Sequence, residues 1–193
     1  MSVLMRAREI GGRPVVTLDT AEDVAEVKDV LFSYASTSVV GFTLNRRGFL
    51  GSPMKEHLPW SRVSALGRDA VMIDSRAALG AGDAAMEDAA ASGERDVIGA
   101  MVMTDGGTRL GTVEDVIVKV GEGGARVVGF EVHGPRVERD RAAATLLLPV
   151  DDTLAVSGET LMVPAAAEEF VRDDLSGFGS AVDEFRRRLG SGR

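Results

Sequence analysis

The sequence predicts an all-β fold with a C-terminal helix, in which two small six-stranded β-barrels are joined by a linker. Three observations predict it: an internal repeat, short apolar segments separated by turn residues, and a helical apolar stripe confined to the end of the chain. We expect a first barrel over residues 1–79, a linker over 80–94, a second barrel over 95–166 and a helical tail over 167–193.

The internal repeat occurs at several ordered places along the chain. The offset between the two copies stays between 86 and 90 residues, so small insertions in hairpins account for the differences. The matched pieces are Ile10-Gly11 with Ile98-Gly99, 24–30 with 110–116, 39–42 with 127–130, Leu58-Pro59 with Leu148-Pro149, and 71–73 with 161–163. Two small units therefore account for most of the 193 residues.

The first unit contains short segments rich in Val, Ile and Leu, which is typical of strands. Strands are predicted at residues 14–18, 24–32, 37–45, 55–60, 62–66 and 70–74. Six short strands in such a small unit favour a closed barrel, because closure removes exposed sheet edges. Trp60, the only tryptophan, is interpreted as a core residue, with a surface that faces a partner as the alternative.

Two local features recur in both copies. Val27 and Val30 are three residues apart, as are Val113 and Val116, so each strand must change phase, and β-bulges are predicted at Lys28-Asp29 and Glu114-Asp115. We interpret Asp29 and Asp115 as carboxylates that accept backbone hydrogen bonds, with a catalytic or metal-binding role as the alternative. Gly41 and Gly129 lie inside apolar strands, which indicates a bend or a close backbone approach.

The linker, residues 80–94, has four acidic and no basic side chains and is otherwise mostly Ala, Gly and Ser. This composition is typical of a solvated linker, with one helical turn expected around residues 83–91. Residues 80–85 formally fit the dinucleotide-binding pattern G-x-G-x-x-A. The fingerprint requires a strand directly before it and a βαβ unit around it, and the sequence predicts neither, so we assign no nucleotide site.

The second unit repeats the strand pattern with glycine-rich turns at residues 105–107 and 121–124. Strands are predicted at residues 100–104, 110–118, 126–132, 144–150, 153–156 and 160–163. The connections before the two Leu-Pro pairs differ most between the copies, and variable loops on a repeated scaffold often carry specificity. In the first copy, Arg46, Arg47, Phe49 and Leu50 are candidate partner-binding residues, with a solvated hairpin as the alternative.

The tail carries apolar residues at helical spacing. They are Val171, Leu175, Phe178, Val182, Phe185 and Leu189, separated by 4, 3, 4, 3 and 4 positions. Residues 176–179 read Ser-Gly-Phe-Gly, so a break or a kink is expected there. The stripe indicates a helix that packs on its own barrel, with a helix for self-association or a partner, or one that binds a membrane surface, as alternatives. Its six residues are candidate partner-binding residues.

Composition excludes several kinds of chemistry. The chain has no cysteine, which excludes thiolate metal sites and thiol catalysis, and its two histidines, His57 and His133, do not align in the repeat. The formal charge of −8 argues against general binding to DNA. We find no long apolar segment and no catalytic motif, so we expect a cytoplasmic protein without a membrane segment, catalytic residue, metal or cofactor.

The order of these motifs resembles the PRC-barrel family. The resemblance depends on Ile-Gly, Val-x-Asp-Val, Val-Gly-Phe and Leu-Pro in the same order twice, over roughly residues 9–74 and 95–164. It implies six-stranded barrels that dock other proteins, as in the photosynthetic reaction-centre H subunit and the ribosome-maturation factor RimM. The H subunit has a membrane helix and RimM a different N-terminal barrel, so this chain is most similar to the stand-alone tandem members.

The sequence therefore predicts a non-enzymatic cytoplasmic adaptor whose tandem barrels bind a protein partner of unknown identity. Small barrels have small cores, so a homodimer is also expected. The alternative is a factor associated with the ribosome or with RNA processing, by analogy with the C-terminal barrel of RimM. An enzyme that uses the carboxylates of Asp29 or Asp115 is a third hypothesis.

Overall fold

The computed structural model describes residues 2–33, 36–48, 51–91, 97–121, 124–134, 146–150, 155–157 and 159–190. The chain divides into two units that correspond to the repeats. The first-repeat unit consists of Ala7–Ser33 and Ser38–Glu94. The second-repeat unit consists of Met1–Arg6, Tyr34–Thr37 and Arg95–Arg193.

Strands dominate both units. The second-repeat unit begins with β1 (Val3–Arg6). The first-repeat unit contains α1 (Ala7–Ile10), β2 (Pro14–Thr17), β3 (Asp23–Ser33), β4 (Ser38–Asn45), β5 (Pro53–Pro59), β6 (Val63–Leu66), β7 (Val71–Ile73) and α2 (Ala84–Ala91). The second-repeat unit continues with β8 (Met101–Thr104), β9 (Arg109–Gly121), β10 (Gly124–His133), β11 (Leu146–Pro149), β12 (Ala155–Ser157), β13 (Thr160–Val163) and α3 (Leu175–Gly190). Short 3-10 helices lie at Trp60–Arg62, Arg76–Ala78 and Ala165–Phe170.

The two units have the same strand order, which confirms the repeat. The order is β5-β4-β3-β2-β7-β6 in the first-repeat unit and β11-β10-β9-β8-β13-β12 in the second. The pairs β2–β7 and β8–β13 are parallel, and the other neighbours on these paths are antiparallel. Each unit encloses a core that contains a fully buried Phe from the Val-Gly-Phe motif, Phe42 in one and Phe130 in the other.

The prediction of two closed six-stranded barrels is not confirmed, because each unit is a curled, open sheet. Among the described residues, no strand pairing joins β5 to β6 or β11 to β12. The outer edge of β5 instead pairs with the segment before α2, where His57 and Gly80 exchange backbone hydrogen bonds of 2.7 and 3.1 Å. Leu147 and Arg172 make the same exchange on β11, at 2.7 and 3.1 Å. A closed barrel would need the outer edges of β5 and β11 to pair with β6 and β12. At His57 and Leu147 these edges are already hydrogen-bonded to other segments.

Each sheet is covered by a helix that follows these bridges, so α2 and α3 are equivalent elements of the repeat. Met86 of α2 packs with Val40 on the first sheet, and Phe178 of α3 packs with Val128 on the second. The sequence predicts a solvated linker at residues 80–94, but the structure gives it a buried contact, because Met86 is only 7 % exposed. Asp83 begins α2, since its carboxylate accepts the backbone N–H of Met86 at 3.2 Å.

The glycines inside the apolar strands allow the close approach that the sequence predicts. A Cβ atom on Gly129 would lie 2.5 Å from the carbonyl oxygen of Leu148 and would overlap the ring of Phe178. A Cβ atom on Gly41 would lie 2.6 Å from the carbonyl oxygen of Leu58. Both glycines therefore let a neighbouring strand approach and a helix side chain pack directly on the backbone.

The predicted β-bulges are confirmed in both units. Along β3, Val27 pairs with Leu44 and Asp29 with Thr43, so Lys28 is the extra residue. Along β9, Val113 pairs with Val132 and Asp115 with Glu131, so Glu114 is the extra residue. The spacing of three between apolar residues was therefore a reliable indicator of a change of phase.

The start of the repeat is shifted by one residue from the match made on sequence. Gly12 donates to the carbonyl oxygen of Val27 at 2.9 Å, and Gly99 donates to that of Val113 at 2.8 Å. Gly12 and Gly99 both have positive φ, at 79° and 86°. Ile10 therefore corresponds to the buried Val97, and Ile98 is 44 % exposed. The sequence match is one residue out of register because Ile-Gly pairs occur at both Ile10-Gly11 and Ile98-Gly99.

The N-terminal strand β1 belongs to the second-repeat unit, although it precedes the first repeat in sequence. It pairs antiparallel with β9, from Val3 opposite Val120 to Arg6 opposite Ile117. The guanidinium group of Arg6 forms an ion pair with the carboxylate of Glu131, a side chain that is only 2 % exposed. The structural division thus departs from the sequence boundary at residue 79 by assigning residues 1–6 to the other unit.

We predict that Ala21→Gly raises the stability of the first-repeat unit. Ala21 has a φ of 56°, and it occupies the turn position that Gly107, with a φ of 79°, occupies in the second-repeat unit. A left-handed conformation costs an alanine about 1–2 kcal/mol, and the greater backbone freedom of glycine in the unfolded state offsets about 0.5–1 kcal/mol of that. We expect a net gain of about 0.5–1 kcal/mol in thermal denaturation.

The control for this variant is Ala85→Gly, at an exposed position in α2. Here the same replacement should destabilise the protein by about 1 kcal/mol, because the backbone is helical. A decrease in the melting temperature for both variants would contradict the prediction.

Candidate docking sites

The predicted stripe of the tail lies largely in the core of the second-repeat unit. Phe178, Val182 and Phe185 are at most 1 % exposed. Val171, Leu175 and Leu189 are half-buried. The buried members pack in part on a cluster formed by Ile117, Val128 and Leu147, with Leu4 of β1 at its border. The structure therefore covers the centre of the stripe within the chain and leaves its two ends accessible.

The helix α3 is continuous from Leu175 to Gly190, so the break that the sequence predicts at residues 176–179 does not occur. It starts after Asp174, whose carboxylate accepts hydrogen bonds from the Ser176 hydroxyl and, at 2.8 Å, from the Gly177 N–H. These bonds hold the pKa of Asp174 below its usual value. Gly179 lies against Leu4, where a Cβ atom would meet the Leu4 Cδ1 at an ordinary 3.5 Å, and packing of the neighbouring Phe178 and Val182 stabilises the helix despite its glycines.

The C-terminal end of α3 is anchored to the preceding 3-10 helix. The rings of Phe170 and Phe185 lie 5.5 Å apart at 55°. The guanidinium group of Arg188 lies 5.8 Å from the centre of the Phe170 ring and forms an ion pair with Glu169. The segment that the sequence treats as a tail thus contacts its own unit at the centre of α3 and, through Phe185 and Arg188, near the end of that helix.

The arginine loop, defined as residues 46–52, connects β4 to β5. Phe49 and Leu50, two of its four candidate residues, lie outside the described residues. Arg47 binds two carboxylates at once, Asp23 at 2.7 Å and Glu26 at 2.9 Å. These acidic residues lie on β3, so Arg47 holds the loop against the sheet.

Arg46 begins the arginine loop as an exposed side chain. Its backbone N–H donates to the carbonyl oxygen of Ser52 at 2.9 Å, and Gly51 donates to that of Gly48 at 3.0 Å. Gly48 has a φ of 127°, and a Cβ atom on Gly51 would collide with the Arg46 carbonyl oxygen. Two glycines and two ion pairs therefore fix the described ends of the arginine loop, residues 46–48 and 51–52.

The matched aspartates occupy different environments. Asp29 is exposed; its carboxylate accepts the Thr43 hydroxyl at 2.9 Å and lies 3.1 Å from the Lys28 ammonium group. Asp115 is 2 % exposed, and its carboxylate accepts the backbone N–H of Val116 at 2.8 Å. The interpretation that these carboxylates accept backbone hydrogen bonds fits Asp115, whereas the Asp29 carboxylate accepts a side-chain hydroxyl across the bulge.

The remaining candidates for chemistry lie apart from one another. His57 is half-buried on β5, whereas His133 is exposed at the end of β10. Among the described residues, no three His, Asp or Glu side chains come together in a way that could hold a metal ion. Trp60 is half-buried, and its ring lies 6.1 Å from that of Phe42, which places one side of it on the core.

Comparison with models of protein families finds the same domain twice in this chain. The sequence profile of the PRC-barrel domain matches residues 3–80 and again residues 93–170. The chain belongs to the PRC-barrel domain family. The predicted tandem arrangement is confirmed. The comparison with curated proteins finds no match to this sequence.

The two PRC-barrel matches end close to the backbone bridges at Gly80 and Arg172. The helices α2 and α3, which begin at Ala84 and Leu175, therefore lie outside the matched segments, although they are equivalent in the two units. Sequence reasoning missed this equivalence.

PRC-barrel domains have a fold of the protein-interaction and scaffold type. In the described part of the chain, no helix is both long and apolar enough to cross a membrane.

Proposed function

We propose that this protein is a non-enzymatic adaptor of the cytoplasm that binds a protein partner through the arginine loop of its first-repeat unit. The observation that carries the proposal is the double ion pair of Arg47 with Asp23 and Glu26, at 2.7 and 2.9 Å. These ion pairs hold the start of the loop in place, and a segment that is held before binding loses less conformational entropy when it binds. Arginine is also among the residues that most often dominate the energy of protein interfaces.

Arg46 is the side chain that we expect to contact the partner. It is exposed at the start of a connection that differs between the two repeats, whereas the sheets beneath are alike. Differences on a shared scaffold are where specificity is expected. Arg47 supports the loop through its ion pairs and has a positioning role.

A capture experiment tests this proposal. The immobilised protein is exposed to native lysate, and the proteins retained by the wild type are compared with those retained by Arg46→Glu. We expect one specific partner to be reduced by roughly tenfold in the Arg46→Glu sample, because a repulsive charge replaces the contact. Arg47→Ala should weaken capture less, and it should lower the stability by less than about 1 kcal/mol, since its ion pairs are exposed.

The matched control is Arg68→Glu, at a side chain of the same unit that is 92 % exposed. It makes the same change in charge away from the loop. Equal capture by the wild type and Arg46→Glu, or equal losses in the Arg46 and Arg68 variants, would refute the role of the loop. Salt-sensitive retention of ribosomal subunits would favour the RimM-like alternative instead.

Self-association remains part of the proposal, but the central residues of the tail stripe cannot form its surface. Phe178, Val182 and Phe185 are buried by the chain itself. A chain truncated at Ala166 would expose the core that they cover, and aggregation through that exposed core would look like self-association. Light scattering of the intact protein over a range of concentrations is the suitable test. A monomer at every concentration would remove self-association from the proposal.

A further inference from the structure

A methionine cluster lies on the outer face of the sheet in the second-repeat unit. It consists of Met101 and Met103 on β8 and Met162 on β13. Their neighbours in sequence, Val102 and Leu161, are fully buried, so the methionines point away from the core. Met101 and Met103 are half-buried, and Met162 is 37 % exposed. Three thioether groups therefore share one accessible side of the sheet.

The register of the two strands brings these methionines together. The strands β8 and β13 are parallel, with Met103 directly opposite Met162. Met101 precedes Met103 by two residues on the same strand, so its side chain leaves the same face. The Cα atoms of the cluster are about 5, 7 and 8 Å apart by the standard spacing of strands. A methionine has three rotatable side-chain bonds, so the three sulfur atoms can converge on one point.

The fold does not require methionine at all three positions, as the first-repeat unit shows. By the parallel pairing of β2 with β7 and of β8 with β13, the cluster corresponds to Pro14, Val16 and Met72. One repeat therefore has a single thioether where the other has three. Strands favour β-branched and aromatic residues, and an exposed methionine is open to oxidation. The additional methionines are thus a property of one repeat and not of the scaffold.

The composition of the chain leaves thioethers as its soft metal ligands. The chain has eight methionines, two histidines and no cysteine. The lack of cysteine excludes thiolate sites, but it does not exclude a site made of thioethers. Thioethers select Cu(I), whereas carboxylates and carbonyl groups suit Mg²⁺, Ca²⁺ and Mn²⁺. Apolar contact with another protein could be made equally well by the valine and proline of the first-repeat unit, whereas coordination of a soft ion needs the sulfur atoms.

The local charge favours a monovalent ion. Thioethers are neutral, so they do not offset the second charge of a divalent cation. Arg109 on β9 is the direct partner of Met103 and is exposed. Its charge repels a divalent cation twice as strongly as a monovalent one, and salt screens the repulsion because the side chain is in solvent.

We infer that the methionine cluster binds one Cu(I) ion, with the thioether sulfur atoms of Met101, Met103 and Met162 as its ligands. The ion would be held by one strand through two ligands and by its parallel neighbour through the third. The cluster lies in a different unit from the arginine loop, so this inference does not depend on the proposed function.

The experiment uses the full chain and two probes, Ag(I) as a soft ion that is stable in air and Cu(I) under anaerobic conditions. Calorimetry measures the binding of Ag(I), and competition with a coloured chelator measures the binding of Cu(I). NMR of the methionine methyl groups locates the ion. We expect one equivalent to bind, with shifts of the Met101, Met103 and Met162 methyl resonances, and we expect Zn(II) to leave these resonances unchanged.

The diagnostic variant is Met101→Leu/Met103→Leu, which conserves volume and should fold. Loss of a group that only supports a metal ligand typically weakens binding about 10–100-fold, so loss of two ligands should weaken it at least about a hundredfold. The matched control is Met54→Leu/Met72→Leu, which removes two half-buried thioethers from the first-repeat unit and should leave binding unchanged. Circular dichroism verifies that both variants are folded.

Four results would overturn the inference. These are no binding of Ag(I) or Cu(I) by the wild type, equal affinity of the wild type and the diagnostic variant, an equal loss in the control variant, and methyl shifts spread over methionines of both units. The last result would mean an adventitious ion only. None of these measurements involves capture by the arginine loop, so failure of that proposal is distinguishable from failure here.

Discussion

Gly129→Ala is expected to destabilise the second-repeat unit by about 2–4 kcal/mol. The added Cβ atom would lie 2.5 Å from the carbonyl oxygen of Leu148, which belongs to the paired strand β11. It would also overlap the ring of Phe178, whose Cε1 would lie 2.9 Å away. A backbone carbonyl cannot move aside as a flexible side chain can, so the strand and the helix must both shift. Thermal or urea denaturation measures the effect.

Two other glycines make the Gly129 prediction specific. Gly41→Ala makes the equivalent change in the first-repeat unit, but its second contact is the thioether of Met86, which can rotate, so we expect a smaller loss. Gly177→Ala lies in α3, where the nearest atom would be 3.8 Å away, so stability should stay the same or rise by up to about 1 kcal/mol. A neutral Gly129→Ala would show that α3 does not pack on β10 as described.

Phe178→Ala is expected to lower stability by about 3–5 kcal/mol. The ring is fully buried among Ile117, Val128 and Leu147, so its removal leaves a cavity in the core. Leu189→Ala, on the half-buried end of the same helix, should cost less than about 1 kcal/mol. If the stripe existed to bind another chain and α3 were undocked, Phe178→Ala would leave the stability of the isolated protein unchanged.

The double variant Gly129→Ala/Phe178→Ala tests the contact itself. Removing the ring relieves one of the two collisions of the new Cβ atom, so the combined loss should be smaller than the sum of the single losses by about 1 kcal/mol or more. The collision with the Leu148 carbonyl oxygen remains, so the double variant should not be as stable as Phe178→Ala. Strict additivity would show that the two positions do not touch.

Local patterns in the sequence predicted the strands and their irregularities well. The spacing of Val27 and Val30, and of Val113 and Val116, located both bulges, because side chains alternate with a period of two in any strand. Gly41 and Gly129 were recognised as sites of close approach because glycine in an apolar strand offers nothing to the core. These inferences needed only neighbouring residues, which is why they were reliable.

Contacts between distant residues were beyond the same reasoning. Met86 is the only large apolar residue of α2, and the Ala, Gly and acidic composition of residues 80–94 is that of a linker. The packing of α2 becomes evident only when Met86 is placed over Gly41. The meeting of Lys119, Arg126 and Arg186 in one groove was missed for the same reason, since these residues are spread over 68 positions of the chain. A site formed by residues that are distant in sequence leaves no pattern in any one segment of the chain.

The sequence by itself determined the repeat, the tandem PRC-barrel arrangement, the strands and the amphipathic C-terminal helix, because each follows from order and periodicity along the chain. Only the tertiary structure decided that the sheets stay open, that β1 pairs with β9, and that α3 buries its stripe on its own unit. The physical reason is that the two repeats offer similar edges and faces. Which segment occupies each one depends on hydrogen bonds and packing between residues far apart in sequence.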